Sequence, residues 1–192
     1  MIAITGLLKV GKTTFLKRLE QEGFKVLYLD DYVNLLYATN QFVIDTFQKQ
    51  FGSQVIEQNQ VSKSALKKIL EDDFSKIYEI EKIVFPLIYK HLEENQYDLV
   101  EIPILKNDFV NFEKFFNLII NVKKSKKKTE KIWKSMSVNN SLILKLVDKN
   151  GDFFGKNRTF ANIPIVNISS GNLRWKWYFR KIKTKYICPN LK

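Results

Sequence analysis

Eight consecutive residues near the start of the chain, Gly6-Leu7-Leu8-Lys9-Val10-Gly11-Lys12-Thr13, fit the pattern G-x4-G-K-[ST] without a gap. Glycines at this spacing let successive backbone N–H groups curl around a phosphate, where side chains would crowd the turn. A helix starting near Lys12 adds its positive end. The Lys12 ammonium can reach the outer phosphates of a nucleotide, and the Thr13 hydroxyl can ligate magnesium. The chemistry this points to is nucleotide binding.

Three carboxylates accompany the loop. Asp30 and Asp31 close a second predicted strand, and in a parallel sheet ligands gather at the carboxyl ends of strands. A carboxylate there can accept a proton from an attacking hydroxyl or hold a magnesium-bound water. Asp31 can equally cap a helix beginning at Tyr32. Glu101, on a third strand, is similar to the acid of a Walker B strand; a half-buried charge with a lysine partner explains it equally well.

These groups must be positioned by regular elements. Ile2–Thr5 reads as a short buried strand, and Phe15, Leu16 and Leu19 recur at helical spacing before Gly23 stops the helix. Lys25–Leu29 alternates as a strand, completing a β-α-β unit. From Tyr32 to Asn95 the pattern is helical, with segments over Gln41–Phe51, Ser64–Glu71 and Phe74–Glu94. Pro86 inside the last of these predicts a kink or a boundary. Asp98–Ile102 and Leu118–Val122 are short apolar runs suited to buried parallel strands. Pro103–Phe116 reads as a loop with a short helix, Lys123–Asp148 as a basic helical segment, and Lys149–Asn162 as loop. Ile163–Ile168 is a last strand, placed near an edge by Pro164. Asn172 can cap a final helix with an apolar stripe of Trp175, Tyr178, Phe179, Ile182 and Tyr186.

Composition narrows the classes. The 192 residues suit one domain, and 45% hydrophobic with 14% aromatic content excludes disorder. No apolar run reaches the roughly 18 residues of a membrane span, and Met1–Thr5 reads as structure rather than signal peptide. One cysteine, Cys188, and one histidine, His91, cannot supply a zinc site, an internal disulfide or a triad needing a second histidine. A lone cysteine favours a reducing cytoplasm. The net charge of +12 is unevenly spread: residues 1–121 carry 14 Lys/Arg against 17 Asp/Glu, and residues 122–192 carry 18 against 3. The basic last third suits either a nucleic-acid surface or a cradle for a polyanionic small molecule. The 28 lysines to 4 arginines also fit a low-GC coding bias.

Taken in order, these residues resemble the dephospho-CoA kinase family, which phosphorylates the ribose 3′-hydroxyl of dephospho-coenzyme A. Ile2 through Thr14 resembles the family's first strand and phosphate loop, and Gly23 through Asp30 its second strand, with Tyr28-Leu29-Asp30 where the family has D-A-D. Phe51-Gly52, Val61 to Leu70 and Ile83 through Ile88 follow its helical coenzyme A-binding insertion, including the H-P-L-I element. Asp98 to Leu105 is similar to its V-x-x-x-P-L-L strand and loop, and Ala161 to Gly171 to its strand and N-x-G turn near adenine.

The resemblance implies a three-layer α/β/α P-loop core with a parallel sheet, a helical substrate-binding insertion over 32–95 and a basic lid over 123–150, all in one domain spanning 1–192. It implies ATP and Mg2+, with Lys9, Val10, Gly11, Lys12, Thr13, Thr14 and the lid residue Lys134 on ATP, and Thr13 and Asp30 on the metal. Asp30 matches the family's base for the 3′-hydroxyl, and Lys12 joins it as a catalytic residue; Asp31 falls outside the motif. The departures are Lys9-Val10 in place of a Gly-Ser pair, Tyr28 in place of aspartate, and Phe85 in place of histidine. In the lid, Glu130 and Lys134 stand where arginines belong. The expected partners are ATP and dephospho-coenzyme A, with no membrane and no nucleic acid. Two alternatives stand beside this: a P-loop kinase for another nucleoside-like acceptor, and a non-catalytic nucleotide-binding protein that holds nucleic acid through its basic third.

Overall fold

The structure is a computed structural model that describes residues 1–125, 127–129, 131, 145, 153–170 and 175–191, without the side chains of residues 153, 155 and 175–177. Lys134 and Glu130 of the expected lid, the expected cap Asn172 and the Trp175 side chain lie outside the described residues.

Four-residue strand β1 (Ile2–Thr5) is buried along its whole length, as its unbroken apolar pattern demands. It lies between β5 (Leu99–Glu101) and β6 (Leu118–Lys123), parallel to both, with Ile4 in register with Glu101 on one side and Ile120 on the other. Strand β2 (Val26–Tyr28) pairs parallel with β5, and β8 (Ile163–Ser169) pairs parallel with β6. The two-residue strand β7 (Thr159–Phe160) closes the far edge antiparallel to β8. The strand order is therefore β2-β5-β1-β6-β8-β7, a mostly parallel α/β sheet as the sequence predicts. Pro164 sits on β8, next to that edge strand.

Helix α1 (Lys12–Gln21) and α7 (Trp175–Ile182) cover one face of the sheet. Phe15 of α1 meets Phe179 of α7 edge-on, with ring centroids 5.6 Å apart, over Ile2, Ile4, Leu118 and Ile120. Phe179 and Ile182 are thus core residues, which explains the aromatic spacing near the C-terminus. A π-helical turn over Lys183–Ile187 continues from α7 and buries Ile187. The segment read as loop over Lys149–Asn162 instead contains β7 and the one-turn helix α6 (Phe153–Lys156), with Phe154 packed edge-on to Phe160.

The chain divides into two compact units: Met1–Tyr28 with Asn95–Asn107 and Asn111–Lys192, and Leu29–Glu94 with Asp108–Val110. The second begins three residues before the expected 32–95 insertion. It holds α2 (Leu29–Thr39), α3 (Gln41–Phe51), a hairpin of β3 (Ile56–Glu57) and β4 (Gln60–Val61), α4 (Lys63–Asp72) and α5 (Ile77–Glu94). Sequence signals mark most of these ends. Asn40 caps α3 by accepting from the Val43 amide at 3.1 Å, and Ser62 caps α4 by accepting from the Ala65 amide at 3.3 Å. Gly52 ends α3 at φ 89°. The hairpin, turning on left-handed Gln58 and Asn59, lacks the glycine that usually signals one. Pro86 marks no boundary, since α5 runs continuously through it; Phe74–Lys76 forms a separate 3-10 turn before it. Phe47 anchors the unit between Tyr37 and Phe51, and Phe109 brings its short segment against Phe85.

His91 on α5 stacks on Tyr32 of α2, with ring centroids 4.1 Å apart and planes 24° from parallel. Burial there pushes the imidazole below its ordinary value of 6.5, opposed by the smaller pull of Glu94. The stability this gives is fully present above 6.5 and is lost as pH falls through the lowered folded-state value. His91 is the sole histidine, so its proton NMR signal should titrate with a midpoint below 6.5, and Tyr32→Ala should move that midpoint upward.

Candidate active site

The G-x4-G-K-[ST] stretch forms the turn between β1 and α1, with Gly11 as the N-cap of the helix. Three of its residues have positive φ: Gly6 at 140°, Lys9 at 62° and Gly11 at 105°. Gly6 is required by contact as well as by conformation. A Cβ on it would lie 2.3 Å from the carbonyl oxygen of Val122 on β6. Lys9 occupies the left-handed region with a side chain, at a cost of about 1 kcal/mol. The neighbouring departure, Val10, adds no bulk to the turn's outer surface: it is only 1% exposed and joins the core with Phe15 and Val122.

Lys12 is 9% exposed, and its charge is met from three directions. Its ammonium donates to the carbonyls of Gly6 at 3.0 Å and Leu7 at 3.1 Å, and lies 3.9 Å from Glu101 Oε1. Burial of a cation at this depth requires such compensation. The Thr13 hydroxyl donates to Glu101 Oε2 at 3.2 Å, with Oε1 at 3.4 Å. Glu101 is itself 8% exposed. Glu101 therefore has the lysine partner that the sequence allowed, and its carboxylate also meets the Thr13 hydroxyl. Glu101 stands in register with Ile4, one residue before the end of β1. The acid near the end of the apolar run Asp98–Ile102 is the sequence signal for that position.

The structure brings Lys9, Val10, Gly11, Lys12, Thr13 and Thr14 into one turn, with Thr13 and Thr14 exposed in the first turn of α1. Asp30 belongs to the helical unit, where it is exposed as the second residue of α2, two positions beyond the end of β2. Because α2 begins at Leu29, Asp31 does not cap a helix at Tyr32. Both aspartates lie in the first turn, where the helix dipole favours a negative charge. Tyr28, at the family's first aspartate position, turns its hydroxyl to Glu20 of α1 at 3.2 Å. Phe85, at the histidine position, is buried and meets Phe109 edge-on at 6.1 Å. Of the basic lid residues, Lys127, Lys128 and Lys131 are helical and exposed.

Gly6→Ala should destabilise the protein by at least about 2 kcal/mol, because the φ of 140° and the Val122 carbonyl both resist a side chain. Urea unfolding measures it directly.

Comparison with known proteins supplies the lineage. The family model for dephospho-CoA kinase matches residues 1–146. A dephospho-CoA kinase from Helicobacter pylori is 32% identical over 98 residues, which covers 51% of this chain and 48% of that protein. The Mycoplasma pneumoniae enzyme of the same name is 24% identical over 154 residues, covering 77% of each chain. Among solved structures, the dephospho-CoA kinase from Campylobacter jejuni superposes with a TM-score of 0.60 at 15% identity, over 98% of both chains. A crystal structure from Thermus thermophilus gives 0.63 at 19% identity, over 95% of this chain and 94% of that one. These two likenesses speak to the fold alone. The sequence match, spanning the phosphate loop, β2, the helical unit and β6, settles the lineage: the chain belongs to the dephospho-CoA kinase family.

Proposed function

We propose that this protein transfers the γ-phosphoryl group of ATP to the ribose 3′-hydroxyl of dephospho-coenzyme A. The observation that carries the reading is the turn between β1 and α1, where Lys12, Thr13 and Glu101 converge in a chain of this family. ATP use follows from family membership. The Gly11, Lys12 and Thr13 amides at the start of α1 suit the phosphates, with Lys9, Val10 and Thr14 flanking them and Lys134 contributing charge from the lid.

Magnesium fits the residues present. The Thr13 hydroxyl and the Glu101 carboxylate are hard oxygen donors in mutual contact. Among the described residues no three His, Cys, Asp or Glu side chains gather as a metal cage, and magnesium needs none when phosphates complete its shell. Thr13 and Glu101 would hold it, with Asp30 as the further carboxylate expected from the sequence. When bound it would neutralise charge on the phosphate oxygens. Lys12 would exchange its carbonyl partners for phosphate oxygens. Asp30 would accept the proton of the 3′-hydroxyl as that oxygen bonds to the γ-phosphorus and ADP leaves. Lid lysines would screen the developing charge. A cytoplasmic location accompanies this role; among the described residues no helix is long and apolar enough to cross a membrane.

The test is coenzyme A formation from ATP, magnesium and dephospho-coenzyme A. Lys12→Ala and Asp30→Asn should each lower kcat by about 10²- to 10⁴-fold. Turnover with only a different hydroxyl acceptor would replace the substrate. No turnover, together with tight salt-dependent binding to RNA or DNA, would replace the reading altogether. Glu101→Gln should raise the magnesium concentration needed for half-maximal rate by about tenfold or more, read from a magnesium titration of the same assay.

A further inference from the structure

Ser170 follows the last residue of β8 and reaches across to the phosphate loop. Its amide donates to the Lys123 carbonyl at the end of β6 at 2.9 Å, which fixes the serine's backbone. Its hydroxyl donates to the carbonyl of Val10, within the loop itself. The hydroxyl also lies 3.3 Å from the Lys123 carbonyl, but it has one proton to give, and the Val10 oxygen is the nearer acceptor. The proton therefore belongs to the shorter contact with Val10. Gly11 makes room for this approach: a Cβ there would come within 3.3 Å of the Ser170 Cβ and 3.5 Å of its hydroxyl oxygen.

The contact has a directional consequence. A peptide unit is planar and trans, so its C=O and N–H point in opposite directions. Holding the Val10 oxygen on Ser170 fixes the Gly11 N–H on the side away from Ser170. Gly11 is one of the amides assigned to the ATP phosphates. The Val10 side chain is meanwhile buried in the core, so the peptide is gripped on both its oxygen and its preceding residue.

We propose that Ser170 is a positioning residue for ATP: through the Val10 carbonyl it holds the Gly11 amide in the orientation that receives a phosphate. It makes nucleotide affinity depend on the end of β8, some 160 residues along the chain from the loop. The proposal rests on the ATP reading of the loop given above.

The experiment compares wild type, Ser170→Ala and Ser170→Thr by calorimetric titration with magnesium-ATP, by steady-state kinetics and by thermal unfolding. Losing one aligned hydrogen bond should raise the ATP Kd and the ATP KM by about 3- to 10-fold in Ser170→Ala. The KM for dephospho-coenzyme A should stay within about twofold, and Ser170→Thr, which keeps the hydroxyl, should recover most of the ATP affinity. An unchanged ATP Kd in Ser170→Ala would overturn the proposal. So would an equal rise in both KM values, or a Ser170→Thr protein of wild-type Tm that binds ATP as weakly as the alanine variant. Wild type that binds ATP without making coenzyme A would refute the acceptor reading alone, and the Kd comparison would still decide the role of Ser170. Wild type that does not bind ATP would refute both.

Discussion

The close approach of Gly6 to the Val122 carbonyl is the constraint on which the phosphate loop depends. It requires β6 to lie beside β1, and the strand order β2-β5-β1-β6-β8 supplies that neighbour. Once the loop is seated there, Val10 falls into the core and Lys12 comes under the loop carbonyls. The first turn of α1 then presents Thr13 to Glu101 on β5. The two strands flanking β1 thus act on the loop from opposite sides, β6 through a backbone oxygen and β5 through a carboxylate. The parallel sheet positions the chemistry by its order as much as by its burial.

Electrostatics within this arrangement are nearly closed. A lysine and a glutamate, each about nine-tenths buried, would be costly alone. Here the ammonium has two carbonyls and a carboxylate, and the carboxylate also accepts from a hydroxyl. The same groups that stabilise one another are those that phosphates and a divalent cation would engage. On the proposed reading, ligand binding at this turn would be an exchange of partners for Lys12 and Thr13.

Much of this was legible in the sequence, for identifiable reasons. Glycines at positions 6 and 11 with Lys12 and Thr13 state a backbone shape as well as a chemistry. The periodicity gives the helical spans Gln41–Phe51 and Ser64–Glu71, and the structure shows Asn40, Gly52 and Ser62 closing their ends through local hydrogen bonds. What escaped depended on partners distant in the chain. The burial of Val10 is set by Val122 and Phe15, and Tyr28 is drawn to Glu20 on α1. The start of α2 at Leu29 was hidden because a strand and a helix meet there without a break, leaving no cap to read. Pro86 does not divide the helix: a proline costs one helical hydrogen bond, yet Val84, Phe85 and Ile88 bury enough around it to carry the helix through. The β3–β4 turn uses Gln58 and Asn59 at positive φ, a conformation composition alone does not announce.

The sheet's outer strands carry one further implication. Its edges are β2, of three residues, and β7, of two, flanked by Lys25 and Arg158. Between them lie strands with almost wholly apolar interiors, the kind that pair readily with a foreign chain if a long edge is exposed. Short rims bearing cations offer such a chain few free backbone groups and a repelling charge. A strongly apolar parallel sheet is in this way guarded against edge pairing by where it stops.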